Sequence, residues 1–193
     1  MNKRIQKCVE LIKANDLTGV VLNPGQSLTY LSGLHFHLME RPTVLIITRE
    51  GETAVILPAL EKGKLTGDSA AFQSFTYDDD PGSWHTAFEQ AASALKLETG
   101  RVGLEPAHLR FLELQYLNAA FMGVDFVDGT EVFRALRLNK DDEEVAKMRH
   151  AAMIAQDALL ATLRTLHAGI TEKMVTNDLI INLLRAGRSE EHT

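Results

Sequence analysis

A single cysteine, Cys8, stands in 193 residues, which excludes an internal disulfide and fits a reducing compartment. No stretch approaches the roughly 20 consecutive apolar residues of a membrane helix. The opening Met1-Asn2-Lys3-Arg4-Ile5-Gln6-Lys7 lacks the uninterrupted apolar segment of a signal peptide. A cytoplasmic protein without a membrane partner is the expectation. Clustered positive charge is missing as well. The chain has 20 Lys and Arg against 26 Asp and Glu, a net charge of −6, and the basic residues are scattered. Neutralising nucleic-acid phosphates needs Lys and Arg gathered on one face, so nucleic acid is excluded as a partner. There are no internal repeats and no low-complexity stretches. Gly63, Gly67, Gly100 and Gly103 form no phosphate-cradling loop, and no G-x-S-x-G elbow occurs.

What remains is an ordinary globular composition, 45% hydrophobic and 24% charged. Ile5, Cys8, Val9 and Ile12 recur at helical spacing, which predicts an amphipathic helix with Cys8 on its apolar face as an inert thiol. Gly19-Val20-Val21-Leu22 reads as a short buried strand, broken by Asn23-Pro24-Gly25. Two β-rich runs, 42–48 and 52–57, flank Arg49-Glu50-Gly51 and predict a hairpin. A strand is expected over 73–77, a helix over 84–97, a strand over 102–104, a helix over 107–120 and a last strand over 124–127. Strands alternating with helices, plus one hairpin, give an α/β layer with a mixed sheet flanked by helices.

Beyond Arg137 the pattern changes. Asn139 is expected to cap a long helix whose first turn carries Asp141, Asp142, Glu143 and Glu144, acidic groups that suit the positive end of a helix dipole. Its apolar positions run from Val145 to Leu166, Gly169 stops it, and Thr171 caps another helix reaching about Ala186. Two helices with no strand between them place a boundary at residues 1–136 and 137–193.

Three segments offer chemistry. His35-Phe36-His37 has a spacing that lets two imidazoles face one way in an extended chain, as metal ligands or as surface and pocket-lining groups. Two ligands are not a metal site, and no third is evident nearby. Asp78-Asp79-Asp80-Pro81-Gly82 lacks the alternating ligands and closing Glu of a calcium loop, so it reads as a solvated turn. The carboxylates from Asp141 to Glu144 belong to a helix start.

Tyr30-Leu31-Ser32-Gly33 followed by Arg41-Pro42, then Val102-Gly103-Leu104-Glu105, then Leu136-Arg137-Leu138-Asn139-Lys140 with Glu143-Glu144-Val145, Met148-Arg149, Ala151-Ala152 and Gly169-Ile170-Thr171-Glu172, occur in one order across nearly the whole chain. In that order and spacing the chain resembles the creatinase/prolidase group of M24-type "pita-bread" metallopeptidases, the Xaa-Pro dipeptidases and aminopeptidases P. The resemblance implies a ribonuclease H-like N-terminal domain, followed by the first helices of a truncated peptidase domain. It implies a homodimer acting on proline-containing peptides. It also implies two divalent metal ions (Mn, Co or Zn) in a full-length parent, held by two aspartates, a histidine and two glutamates that would all lie downstream of Glu172, so that this chain holds no catalytic or metal-binding residue. Arg41 matches the position of an arginine that reaches toward substrate in creatinase-type members, with pairing inside its own domain or at a dimer contact as the alternative. His35 and His37 flank the same loop as further substrate-binding candidates. Two other readings stand beside the peptidase: a non-enzymatic dimerisation or binding module, and part of a creatine amidinohydrolase, which needs no metal. The end, Arg188-Ser189-Glu190-Glu191-His192-Thr193, reads like the translation of a sequencing adapter, which leads to the expectation that the gene continues past Gly187.

Overall fold

The computed structural model describes residues 2–187, so the adapter-like segment 188–193 lies outside the described residues. Of the described residues, those up to Asn139 form one compact unit and those from Lys140 to Gly187 a second.

The first unit opens with α1 (Lys3–Ala14), capped by the Asn2 side chain, which accepts the Arg4 N–H at 2.9 Å. Then come β1 (Gly19–Leu22), α2 (Gln26–Ser32), β2 (Val44–Thr48) and β3 (Thr53–Pro58). Two 3₁₀ turns, Ala59–Lys64 and Gly67–Ala71, lead to β4 (Gln73–Tyr77), which is followed by α3 (Trp84–Leu95). The unit closes with β5 (Gly100–Leu104), α4 (Phe111–Ala120), β6 (Val124–Asp128) and α5 (Thr130–Leu138). The six strands form one sheet in the order β4-β3-β2-β1-β5-β6. β2 runs antiparallel to both β1 and β3, and the other pairs are parallel. The mixed sheet with helices on both faces is the architecture read from the sequence.

Burial on both faces explains why the central strands are continuously apolar rather than alternating. Every residue of β1 and β2 is buried. On one face, Ile5, Cys8 and Ile12 of α1 pack with Leu28, Leu31, Phe133 and Leu136 over Val20, Leu22, Leu45 and Ile47. On the other, Ala87, Phe88, Ala91 and Leu117 cover Val21, Val44, Ile46 and Ile56. Burial pushes the Cys8 thiol up to about 12, in keeping with an inert core thiol. The β2–β3 hairpin closes through Gly51, whose φ of 92° and N–H bond to the Thr48 carbonyl at 3.0 Å need the left-handed freedom of glycine. Among the described residues, no helix is long and apolar enough to cross a membrane.

Four local expectations need correction. Residues 26–32 form a helix where the sequence suggested only a break. Its two turns are too short for periodicity to register, and its stability comes from burying Leu28 and Leu31. Residues 130–138 form α5, an amphipathic helix buried through Val132, Phe133 and Leu136, where the sequence suggested none. α4 starts at Phe111, not at 107. Asn139 ends α5 and does not cap the next helix. That cap is Asp141, whose side chain accepts the Glu144 N–H at 2.8 Å while Glu144 accepts the Asp141 N–H at 3.1 Å, a reciprocal pair that satisfies two orphan donors.

The second unit contains α6 (Asp142–Leu163) and α7 (Glu172–Arg185), with Gly169 at φ 92° between them and Thr171 capping α7. The helices meet through Asn182 on Thr162 at 3.1 Å and Thr165 on Asp178 at 3.1 Å. Only Ala158 and Thr162 of α6 are buried, while Met148, Met153, Leu159, Leu163, Met174 and Ile181 are exposed. A helix pair with so little buried apolar surface has little local stability. Limited proteolysis is expected to consume residues beyond Lys140 first and leave a resistant fragment ending near Asn139. Mass spectrometry of the digest checks this, and survival of α6 after the first unit has been cut would overturn it.

Candidate functional site

The loop from Leu34 to Thr43 carries all three sequence-derived candidates. It begins where Gly33 ends α2 in the left-handed conformation, its N–H bonded to the Thr29 carbonyl at 2.8 Å. Ser32 and Thr29 continue the hold: the Leu34 N–H donates to Ser32 Oγ at 3.1 Å and Thr29 Oγ1 donates to the Leu34 carbonyl at 2.9 Å. Leu34 is buried and Phe36 packs partly into the α1 face of the core. His35, His37 and the Leu38–Met39–Glu40 tip are exposed.

The far half of the loop has no regular structure, and side chains from distant elements fix its backbone. The Tyr77 hydroxyl, at the end of β4, donates to the Pro42 carbonyl at 2.5 Å. Burial pushes the Tyr77 phenol well above its ordinary pKa, so it remains a donor. The Arg110 guanidinium, just ahead of α4, donates to the Met39 carbonyl and, at 3.5 Å, to the Arg41 carbonyl. Arg110 is itself set by Glu113. Its Nε lies 3.1 Å from each Glu113 carboxylate oxygen and its terminal nitrogen closes on one of them. The Glu113 carboxylate is completely buried, whereas the Arg110 side chain is partly exposed. The guanidinium fork thus satisfies a buried anion on one side and loop carbonyls on the other.

On this frame Arg41 is half-buried and pairs with Asp79 at 2.9 Å. Asp79 thereby joins the site from the acidic turn. In that turn Asp80 accepts the Gly82 N–H at 3.0 Å, and the Trp84 indole N–H donates to the Asp78 carbonyl at 3.1 Å. Arg41 also lines a cavity of about 300 Å³ together with Phe36, His37, Glu40, Leu60 and Lys64. Lys64 pairs with Glu61 at 2.5 Å and lies 5.4 Å from the Phe36 ring centroid, a cation–π distance. The cavity therefore offers apolar walls and both signs of charge, a setting suited to a small zwitterion. His35 lines a different, more open hollow with Tyr30, Gln26 and Arg137. The two histidines thus sit on separate depressions and not around one point. Among the described residues, no three His, Cys, Asp or Glu side chains gather in a way that could hold a metal ion. The described residues therefore do not fit a metal centre.

Sequence reasoning missed Lys64, Tyr77, Asp79 and the Arg110–Glu113 pair. Only the pair carried a local signal, its i,i+3 spacing at a helix start, and that spacing ordinarily marks a solvated pair.

The chain is similar to the protein named "Probable dipeptidase PepE" of Mycobacterium tuberculosis, with 31% identity over 179 residues, 90% of this chain and 46% of that relative. Among solved structures it is similar to PepE from Mycobacterium ulcerans, at 26% identity and a TM-score of 0.76 over 96% of this chain and 49% of that one. It is also similar to a dipeptidase from Pyrococcus horikoshii OT3, at 25% identity and a TM-score of 0.78 over 94% and 49%. A prolidase from Thermococcus sibiricus shares the fold at 20% identity with a TM-score of 0.80, over 95% and 50%. The chain spans about half the length of the curated relatives it matches. The model of the creatinase/prolidase N-terminal domain matches residues 4–139, the whole span of the six-stranded sheet and its flanking helices, and the chain belongs to that family.

Proposed function

We propose that this chain is the N-terminal part of a metal-dependent Xaa-Pro peptidase, of dipeptidase or aminopeptidase P type. In this reading the domain of residues 1–136 serves dimerisation and substrate access, and residues 137–193 open the catalytic domain. The metal ligands, for two Mn, Co or Zn ions, belong to the portion of the relatives that this chain does not span. The observation that carries the reading is Arg41. It combines a family position with a place in the wall of a peptide-sized cavity, held by a pinned loop. A guanidinium there suits a peptide carboxylate, through two parallel charge-assisted hydrogen bonds. Asp79 is an exposed partner that such a carboxylate can displace at little cost, because exposed ion pairs are weak. His37 shares that cavity, and His35 stands on the other side of the same loop.

Joining residues 1–187 to the catalytic half of the mycobacterial PepE tests it. The soluble chimera, loaded with Mn²⁺, is expected to hydrolyse an Xaa-Pro dipeptide. Its Arg41→Gln variant, which keeps one neutral donor in place of the two charged ones, should lose at least roughly tenfold in kcat/KM. The unjoined chain with Mn²⁺ or Co²⁺ should be inert. Turnover by the unjoined chain, or a folded, metal-loaded chimera indifferent to Arg41→Gln, would overturn the proposal.

A further inference from the structure

We propose that Arg110, set by the buried Glu113 and assisted by Tyr77, is a positioning residue that holds the Arg41 loop in its binding geometry. This deepens the substrate-access reading of Arg41 and rests on it. The argument begins with the backbone. Between Leu34 and Val44 the chain has no helix or strand of its own, so its carbonyls are free to take water or side chains from elsewhere in the fold as partners. Met39, Arg41 and Pro42 find them in two side chains, Arg110 and Tyr77. Those two come from different elements, the approach to α4 and the end of β4, so the loop is tied at two separate points of the scaffold. Arg110 bonds the carbonyl of Arg41 itself and that of Met39, and both residues line the cavity.

Glu113 makes the arrangement directional. A buried carboxylate with the guanidinium Nε centred on its two oxygens holds the planar group in one orientation and leaves its outer N–H groups aimed at the loop. A lysine at residue 110 would keep the charge beside Glu113 but, as a point charge without a fork, could not span the carboxylate and two carbonyls together. Loop order then depends on the shape of the cation and not on its charge. A pre-organised loop binds more tightly because less ordering entropy is lost on contact.

The test uses the full chain, with NMR backbone order parameters as one readout and titration with glycyl-proline as the other. In the parent chain, the amides of residues 38–41 and Thr43 should show rigid-backbone values of about 0.85. Arg110→Lys, which preserves the buried charge pair and so the fold, should lower them below about 0.6 while the sheet stays rigid. Tyr77→Phe should loosen Arg41 and Thr43, the neighbours of Pro42, alone. Affinity for glycyl-proline should fall roughly three- to tenfold in Arg110→Lys, with the Arg41 side chain untouched. Unchanged loop order in both variants overturns the positioning role. If the parent chain fails to bind glycyl-proline but the loop still loosens on substitution, the substrate reading of Arg41 fails and the positioning of the loop stands.

Discussion

Replacing Phe88 with alanine is expected to destabilise the first unit by about 3–5 kcal/mol, the range for truncating a fully buried aromatic side chain. Phe88 has no exposed surface and lies against the sheet face formed by Val21, Val44, Ile46 and Ile56. Its ring stacks on Tyr116 at 5.2 Å, and Tyr116 in turn touches Trp84, which reaches Tyr77 at 5.5 Å. Ala87 and Ala91 flank it on α3. These small neighbours have no side chain to swing into a void, and the strands below are held by their ladders. The cavity therefore stays open, which places the cost toward the upper part of the range. With domain stabilities of roughly 5–15 kcal/mol, such a loss is visible as a large shift in the urea midpoint. Phe88→Leu should recover much of it. A loss under about 1 kcal/mol for alanine would mean that the aromatic row carries little packing energy, contrary to the close-packed core described above. The row also connects stability to the site. Tyr77 is both its end member and the donor to the Pro42 carbonyl, so loosening Phe88 should reach the Arg41 loop.

How much of this could be read beforehand depends on how local the determining physics is. α1, β2 and β3 were legible because a helical stripe and two β-rich runs with a glycine-bearing turn carry their own signals. The helix after β1 was not. Gln26–Ser32 is two turns long, ends on a loop motif, and is stabilised by placing Leu28 and Leu31 under α1, a tertiary effect invisible in a seven-residue window. α5 was hidden for a related reason. It is nine residues long and ends directly before α6, so with Asn139 taken as the cap of the long helix the segment ahead of it read as a connection; that cap is instead Asp141, through its reciprocal bond with Glu144. At the site, Arg41 was singled out through family resemblance. Its surroundings were not legible, because Arg110 meets the Met39 carbonyl across 71 positions of sequence and Tyr77 meets Pro42 across 35. The acidic turn at 78–80 was read as a solvated helix entry. The turn geometry agrees, yet nothing in three consecutive aspartates indicates that the middle one faces Arg41.

The Arg110–Glu113 pair makes the other large prediction, and its sign depends on which partner is removed with which. Arg110→Met leaves a completely buried carboxylate without its counter-ion and is expected to destabilise the unit by about 3–5 kcal/mol, the cost typical of orphaning one member of a buried pair. Arg110 itself is partly exposed, so the loss comes from the isolated anion and not from a missing surface charge. Adding Glu113→Met should restore most of the stability, since an apolar pair of similar volume avoids desolvating either ion. The double-mutant cycle measured by urea unfolding should therefore give strong coupling, well outside the additivity expected of independent sites. The restored double variant keeps Arg41, Asp79 and Tyr77 but offers no donor to the Met39 and Arg41 carbonyls. It should thus be stable and still bind glycyl-proline more weakly than the parent chain, which separates what the pair contributes to the fold from what it contributes to the loop. A double variant as unstable as Arg110→Met alone would show that the carbonyl contacts, and not the buried charge, dominate the energetics of this corner.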